Sequence, residues 1–147
     1  MHATSTSTVL FISMETFVRQ SGDQGFGVLL KSNGNGTIFA ASLPMLDFIG
    51  YDAQTSRIES LEGHLISNKI VNKQEFLTTG EKKIQTVFSF DDGARWRPLI
   101  APEADSRGKP YPCGAKTCSL HLHSELTRAA DAYARLLKTR GKLMRVA

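Results

Sequence analysis

Long apolar runs are missing from this chain of 147 residues. No stretch approaches the roughly 18 to 20 consecutive apolar residues that cross a bilayer as a helix, so nothing in the sequence reads as a membrane span. The start, "MHATSTSTVLFISMETF", has no basic opening region, and its apolar run from Val9 to Ile12 is too short for a signal peptide. Cysteine is sparse, with two residues, and tryptophan occurs once. With 41% apolar and 22% charged residues, the composition excludes disordered and collagen-like classes and allows one core. The expectation is a soluble folded piece with no visible address.

An excess of either charge is also missing from most of the chain. Residues 1–123 hold twelve Lys plus Arg and twelve Asp plus Glu. The whole net charge of +4 sits in the last 24 residues, where Arg128, Arg135, Lys138, Arg140, Lys142 and Arg145 face only Glu125 and Asp131. Body (1–124) and tail (125–147) therefore read as different objects. In the tail, Ser124 is a suitable N-cap and Gly141 a suitable stop. Between them, Leu126, Ala130, Tyr133 and Leu137 fall at helical spacing. The tail is predicted to be a basic amphipathic α-helix. It lacks the interleaved aromatics of a nucleic-acid platform, so no nucleic-acid partner is expected.

What the body does contain is short β-prone runs bounded by turn residues. They are residues 8–15, 26–32, 37–43, 56–61, 64–71, 83–90, 95–100 and 118–124. Val, Ile, Phe, Thr and Leu between Gly, Asn, Asp and Pro punctuation are strand signals, and the body reads as all-β.

One turn carries a pattern. "SFDDGARW" places Ser89, Asp91, Gly93 and Trp96 at the offsets of the Asp-box, S-x-D-x-G-x-x-W, a hairpin turn that recurs in β-propellers. Asp91 can accept hydrogen bonds from the turn's own amides, Gly93 supplies positive φ, and Trp96 covers the corner with apolar surface. The box reads as architecture, against the rival of Asp91 and Asp92 as catalytic or Ca²⁺-binding carboxylates. A degraded copy, "SNGNGTIF", keeps Ser32, Gly36 and the aromatic Phe39 at the same offsets but has Gly34 where the acid belongs. The copies lie 57 residues apart, about one four-stranded blade with its loops. Two blades are expected, at roughly 7–61 and 62–124.

Further chemistry is thin. Cys113 and Cys118 have a spacing that a tight disulfide loop allows. The same pair with His121 and His123 forms C-x4-C-x2-H-x-H, which a zinc ion could use, and free thiols are the third option. "GDQGFG" has the wrong glycine spacing for a kinase loop and reads as a turn. Asn35 begins an N-glycosylation sequon, "NGT", on the degraded turn, with meaning only in a secretory compartment.

Three motifs in order, "GDQGFG", "IQTVFSFDDGARW" and "CSLHLH", resemble the luminal domain of sortilin and its relatives, the vacuolar-protein-sorting-ten receptors. The resemblance runs from about Phe11 to Ser124. It implies a piece, about two blades, of a ten-bladed luminal propeller. Such a piece would be a truncated gene product, a divergent paralogue or a misjoined gene. It implies some disulfide at Cys113 and Cys118, a Golgi and endosomal setting on the luminal side, and protein or peptide cargo as partner. No cofactor, resident metal or catalysis is implied, and membrane contact would come only through other parts of such a receptor. Two blades taken from a ring would expose sheet faces and could self-associate. The rival class is a sialidase-like propeller glycosidase. It needs an Arg cluster and a Tyr/Glu pair, for which only Arg95, Arg97, Tyr51 and Tyr111 offer themselves.

Overall fold

A computed structural model describes residues 2–5, 9–20, 24–58, 61–111, 119–122 and 144–146. The described part is mostly antiparallel β-sheet with one short helix, consistent with a partial β-propeller. β1 (His2–Ser5), β2 (Leu10–Val18), β3 (Gln24–Ser32) and β4 (Phe39–Ile49) form a four-stranded meander. β5 (Asp52–Ala53) returns along the end of β4. β6 (Thr55–Arg57), β7 (Leu65–Ile70), β8 (Ile84–Ser89) and β9 (Arg97–Pro98) form the second meander. One register pair, Leu46 with Lys69, joins the two. β10 (Leu120–Leu122) pairs with β11 (Met144–Val146), and Ser119 bridges to Ile100 beyond β9. The predicted helix over 125–140 lies outside the described residues.

Several expectations need correction. The boundary between the meanders falls before Thr55, because residues 55–57 pair with 65–67 of the second meander. The run at 37–43 continues through Pro44 to Ile49. Proline has no amide to give to a ladder, and β4 accommodates it with a bulge: Pro44 faces Val28, Leu46 faces Gly27, and Met45 between them takes φ 59°. "GDQGFG" is not wholly a turn, since Gly25, Phe26 and Gly27 lie inside β3. A Cβ on Gly27 would stand 2.1 Å from the Met14 carbonyl oxygen and 2.7 Å from the Phe48 ring, so only glycine lets β2 and the core approach there.

The all-β body carries one short helix. α1 (Lys73–Thr79) fills the β7–β8 connection. Seven residues are too few to show a helical period, and the segment is held by its ends. Gly80, at φ 84°, donates its amide to the Phe76 carbonyl, which also accepts from the Arg19 guanidinium at 3.1 Å. The Asn72 side chain donates to Glu75 and Glu81 and accepts from the Lys83 amide.

Two cores result. The first packs Phe11, Leu29, Leu43, Leu46 and Phe48 of one meander against Leu65 and Val87 of the other. The second gathers Phe26, Ile70 and Phe76, with Phe17 and Met45 at its margin. Phe17 stacks on Phe26 at 5.0 Å, and Phe76 meets both rings edge-on. Between the cores the Lys82 ammonium donates to Asp47 Oδ1 at 2.6 Å and to the Phe48 carbonyl at 2.7 Å. Asp47 is fully buried and the Lys82 side chain nearly so.

Burial pushes the Asp47 carboxyl above its ordinary range, and Lys82 pulls it part of the way back. A carboxyl raised on folding contributes stability that is present at low pH and lost as pH rises through its folded value. Removing Lys82 sharpens this. Lys82→Met is expected to cost about 3 kcal/mol at neutral pH by stranding a buried carboxylate. The loss should shrink on acidification as Asp47 takes up a proton, and Asp47→Asn in the same chain should recover much of it. Urea unfolding of the three chains at pH 7 and pH 5 measures this. A penalty that does not change with pH counts against the buried pair.

Candidate functional site

The feature built from the most separate parts of the chain is the corner between β8 and β9. It closes with its own polar groups. The Ser89 hydroxyl donates to Asp91 Oδ1 at 2.9 Å and accepts from the Gly93 amide at 2.8 Å. Asp91 Oδ1 also accepts from the Arg95 amide at 2.8 Å, and the Asp91 carbonyl accepts from the Ala94 amide. The Arg95 amide, with help from Ser89, holds the exposed Asp91 carboxyl below the usual carboxylate range. Asp92 sits at φ 54° and donates its amide to the Gly63 carbonyl.

The corner is then locked to the other meander. Ser42, on β4, donates its hydroxyl to the Gly93 carbonyl at 2.5 Å and accepts from Trp96 Nε1 at 3.0 Å. Trp96 is half-buried and packs on the first core. Gly93 has φ 72°, and a Cβ there would come within 2.8 Å of Ser42 Oγ and 2.9 Å of the Phe11 ring. Two independent constraints, backbone sign and space, therefore require glycine.

The degraded copy stands at the equivalent place, joining the third and fourth strands of its meander. Ser32 is buried there, but its hydroxyl accepts from the Leu10 amide and does not clasp its own turn. Asn33 does that work. Its Oδ1 accepts from the amides of Thr37 at 2.9 Å and Ile38 at 3.3 Å, and its carbonyl accepts from Gly36, which has φ 69°. The side chain one position before Gly34 thus replaces the missing acid. Phe39 opens β4 and is partly buried, and Asn35 is exposed at the tip. A shallow groove of about 330 Å³ lies between the corners, lined by Lys31, Asn33, Ile38, Ala41, Ser42 and Gly93.

Other predicted positions do not converge on a reaction centre. Arg95 and Arg97 are exposed, Tyr51 is 82% exposed after β4, and Tyr111 is partly buried near the end of the 61–111 segment. Cys113, Cys118 and His123 lie outside the described residues, whereas His121 is in β10. Among the described residues no three His, Cys, Asp or Glu side chains gather as a metal site, and no helix is long and apolar enough to cross a membrane. Sequence reading missed Ser42, Asn33 and the Asp47–Lys82 pair. Of these only Asn33, beside the degraded box, had a local signal.

Two meanders, each with a clasped corner at the same connection, define a repeated antiparallel β-unit of propeller type. The chain belongs to the Sortilin-Vps10 family, whose model, described as "Sortilin, neurotensin receptor 3", matches residues 3–140. Relatives named "Vacuolar protein sorting/targeting protein 10" agree with this. The one from Lodderomyces elongisporus is 39% identical over 140 residues, covering 88% of this chain and 9% of the relative. Those from Pyrenophora tritici-repentis and Candida dubliniensis are 38% and 37% identical, covering 80% and 85% of this chain and 8% of each relative. The chain spans less than a tenth of the length of these relatives.

Gly93→Ala is expected to cost roughly 2 to 4 kcal/mol through positive φ and the clash with Ser42 and Phe11. Trp96→Phe, which loses the bond to Ser42 and part of the indole's packing on the first core, should cost about 1 to 2 kcal/mol. Equal urea midpoints for parent and Gly93→Ala would sink the interlock. Asp91 carries its own pH signature. Its stability contribution is present above the usual carboxylate range and lost as pH falls through its lowered value. The gap between parent and Asp91→Asn should therefore close on acidification, as thermal unfolding at pH 7, 5 and 3 would report.

Proposed function

We propose that this chain forms part of the luminal, cargo-binding portion of a sortilin-type sorting receptor, which holds protein or peptide cargo for transport from the Golgi to endosomes or vacuole. The family match over residues 3–140 carries the reading. The polar groups of the β8–β9 corner are spent on holding the corner shut. Asp91 bonds to its own turn, Ser89 is engaged three times and Ser42 twice. Ser89, Asp91, Gly93 and Trp96, with Ser32, Gly36 and Phe39 as the degraded set, are therefore proposed as structural residues. Binding without chemistry is the proposed activity, with no cofactor, no catalysis and no nucleic-acid partner. No observation favours the sialidase-like alternative. Residues 1–124 are the proposed propeller region and 125–147 a basic appendage. Membrane attachment is assigned to other parts of the receptor.

The reading is tested in the gene from which the chain derives. Disrupting it should divert proteins bound for the vacuole to the medium, measured as the secreted fraction. Normal retention would overturn the proposal. In a luminal compartment Cys113 and Cys118 should resist alkylation until reductant is added. Stoichiometric zinc lost on His121→Ala would instead favour the metal reading.

The same reading accounts for an apolar sheet face at each end. Ile12, Met14, Val28 and Leu30 sit across β2 and β3, opposite the face that buries Ser13 and Leu29, and Met14 is 43% exposed. Ile66 and Phe88 pair across β7 and β8, and Phe90, just beyond β8 and 61% exposed, stacks on Phe88. These faces are proposed to meet neighbouring blades in the receptor and other copies when the chain is alone. Light scattering on the isolated chain should report a mass above the 16.2 kDa monomer. A clean monomer that persists after residues 125–147 are deleted would refute the self-association.

A further inference from the structure

We propose that Asn35 is an occupied N-glycosylation site, and that its glycan covers the tip of the β3–β4 hairpin. The inference rests on the luminal reading only for its occurrence in the cell. "NGT" at Asn35–Gly36–Thr37 supplies the acceptor amide and the hydroxyl two residues on. The structure supplies room. Residues 33–38 are all exposed, and Cβ atoms built on Gly34 and Gly36, the neighbours of Asn35 on either side, meet nothing within 4 Å. The β8–β9 corner, by contrast, is pressed onto Ser42 and Phe11. With Gly34 in place of an acid, the turn is clasped by Asn33, and its glycines face open space.

There is also apolar surface for a sugar to cover. Ile38 is 68% exposed on the same turn, three residues beyond Asn35. The C–H face of a first N-acetylhexosamine would shield it from water.

In the transfer, the Asn35 side-chain nitrogen attacks the anomeric carbon of a lipid-diphosphate-linked oligosaccharide. A C–N bond forms as the C–O bond to phosphate breaks. The lipid diphosphate leaves with the bond pair, and the amide loses one proton to a base of the membrane transferase. Because Asn33 holds the Thr37 amide and hydroxyl in the closed turn, transfer precedes hairpin closure, and the assay couples it to translation.

The full chain behind a cleavable signal sequence is translated with microsomes, and only protease-protected product is scored. The expected result is a single upward step in mass that peptide N-glycosidase removes. The step should be absent from Asn35→Gln and from Thr37→Ala, and retained in Thr37→Ser. Protected parent chain at its unmodified mass would overturn the inference. Modified chain in microsomes, with unmodified natural protein in cells, would uphold the site and sink the luminal reading instead.

Discussion

The hydroxyl of Ser42 is the point on which the arrangement of the two meanders depends. It lies on β4, yet both its hydrogen bonds go to the β8–β9 corner, one to the Gly93 carbonyl and one from the Trp96 indole. Among the described residues one register pair, Leu46 with Lys69, joins the meanders, with Gln54 bridging Asp47 and Asn68 beside it through its backbone. The corner adds a second, distant point of attachment. Phe11 and Trp96 pack around it in the first core, so the polar lock sits within apolar cover where hydrogen bonds count for more. The box residues matter because they present one carbonyl and one indole N–H to a serine on the neighbouring unit.

The Asp47–Lys82 pair plays a complementary part at the other end of the interface. It is an expensive way to fill space, since desolvating both ions offsets most of their attraction. Its geometry explains its presence. Lys82 reaches from the α1–β8 connection to both the Asp47 carboxylate and the Phe48 carbonyl of β4. The ammonium lies 5.5 Å from the Phe76 ring centroid, and thereby touches the second core as well. The pair thus ties the α1–β8 connection to β4, while the Ser42 lock ties β4 to the β8–β9 corner.

Much of this was legible in sequence where the determinants are local. Ser89, Asp91, Gly93 and Trp96 sit within eight residues, and each serves the turn that contains it, so the pattern alone pointed to the corner. The β-prone runs gave the strands for the same reason. What could not be read depends on partners far apart in the chain. Ser42 is an ordinary strand serine until residues 93 and 96 fold against it, and nothing near Asp47 names Lys82 as its partner. β4 looked shorter than it is because Pro44 stops a regular ladder, and only the third dimension shows the bulge at Met45 that carries the strand past it. The helix α1 escaped because seven residues around one buried phenylalanine carry no period.

The two corners also show how such a repeat diverges without losing its form. In the second meander the acid two residues after the serine gathers the turn, and the serine hydroxyl belongs to the same clasp. In the first, Gly34 stands where the acid would be, Asn33 accepts the turn amides, and Ser32 bonds with Leu10 on a different strand. The backbone requirement survives in both, as positive φ at Gly36 and Gly93. The constraint on the repeat is therefore the hairpin's path and the satisfaction of its amides, and any side chain that reaches them suffices. That freedom does not extend to the second corner, however. Gly93 is crowded by Ser42 and Phe11, whereas Gly34 and Gly36 face open space. The corner that joins the two meanders carries the full box, and the one whose glycines face open space carries the degraded one.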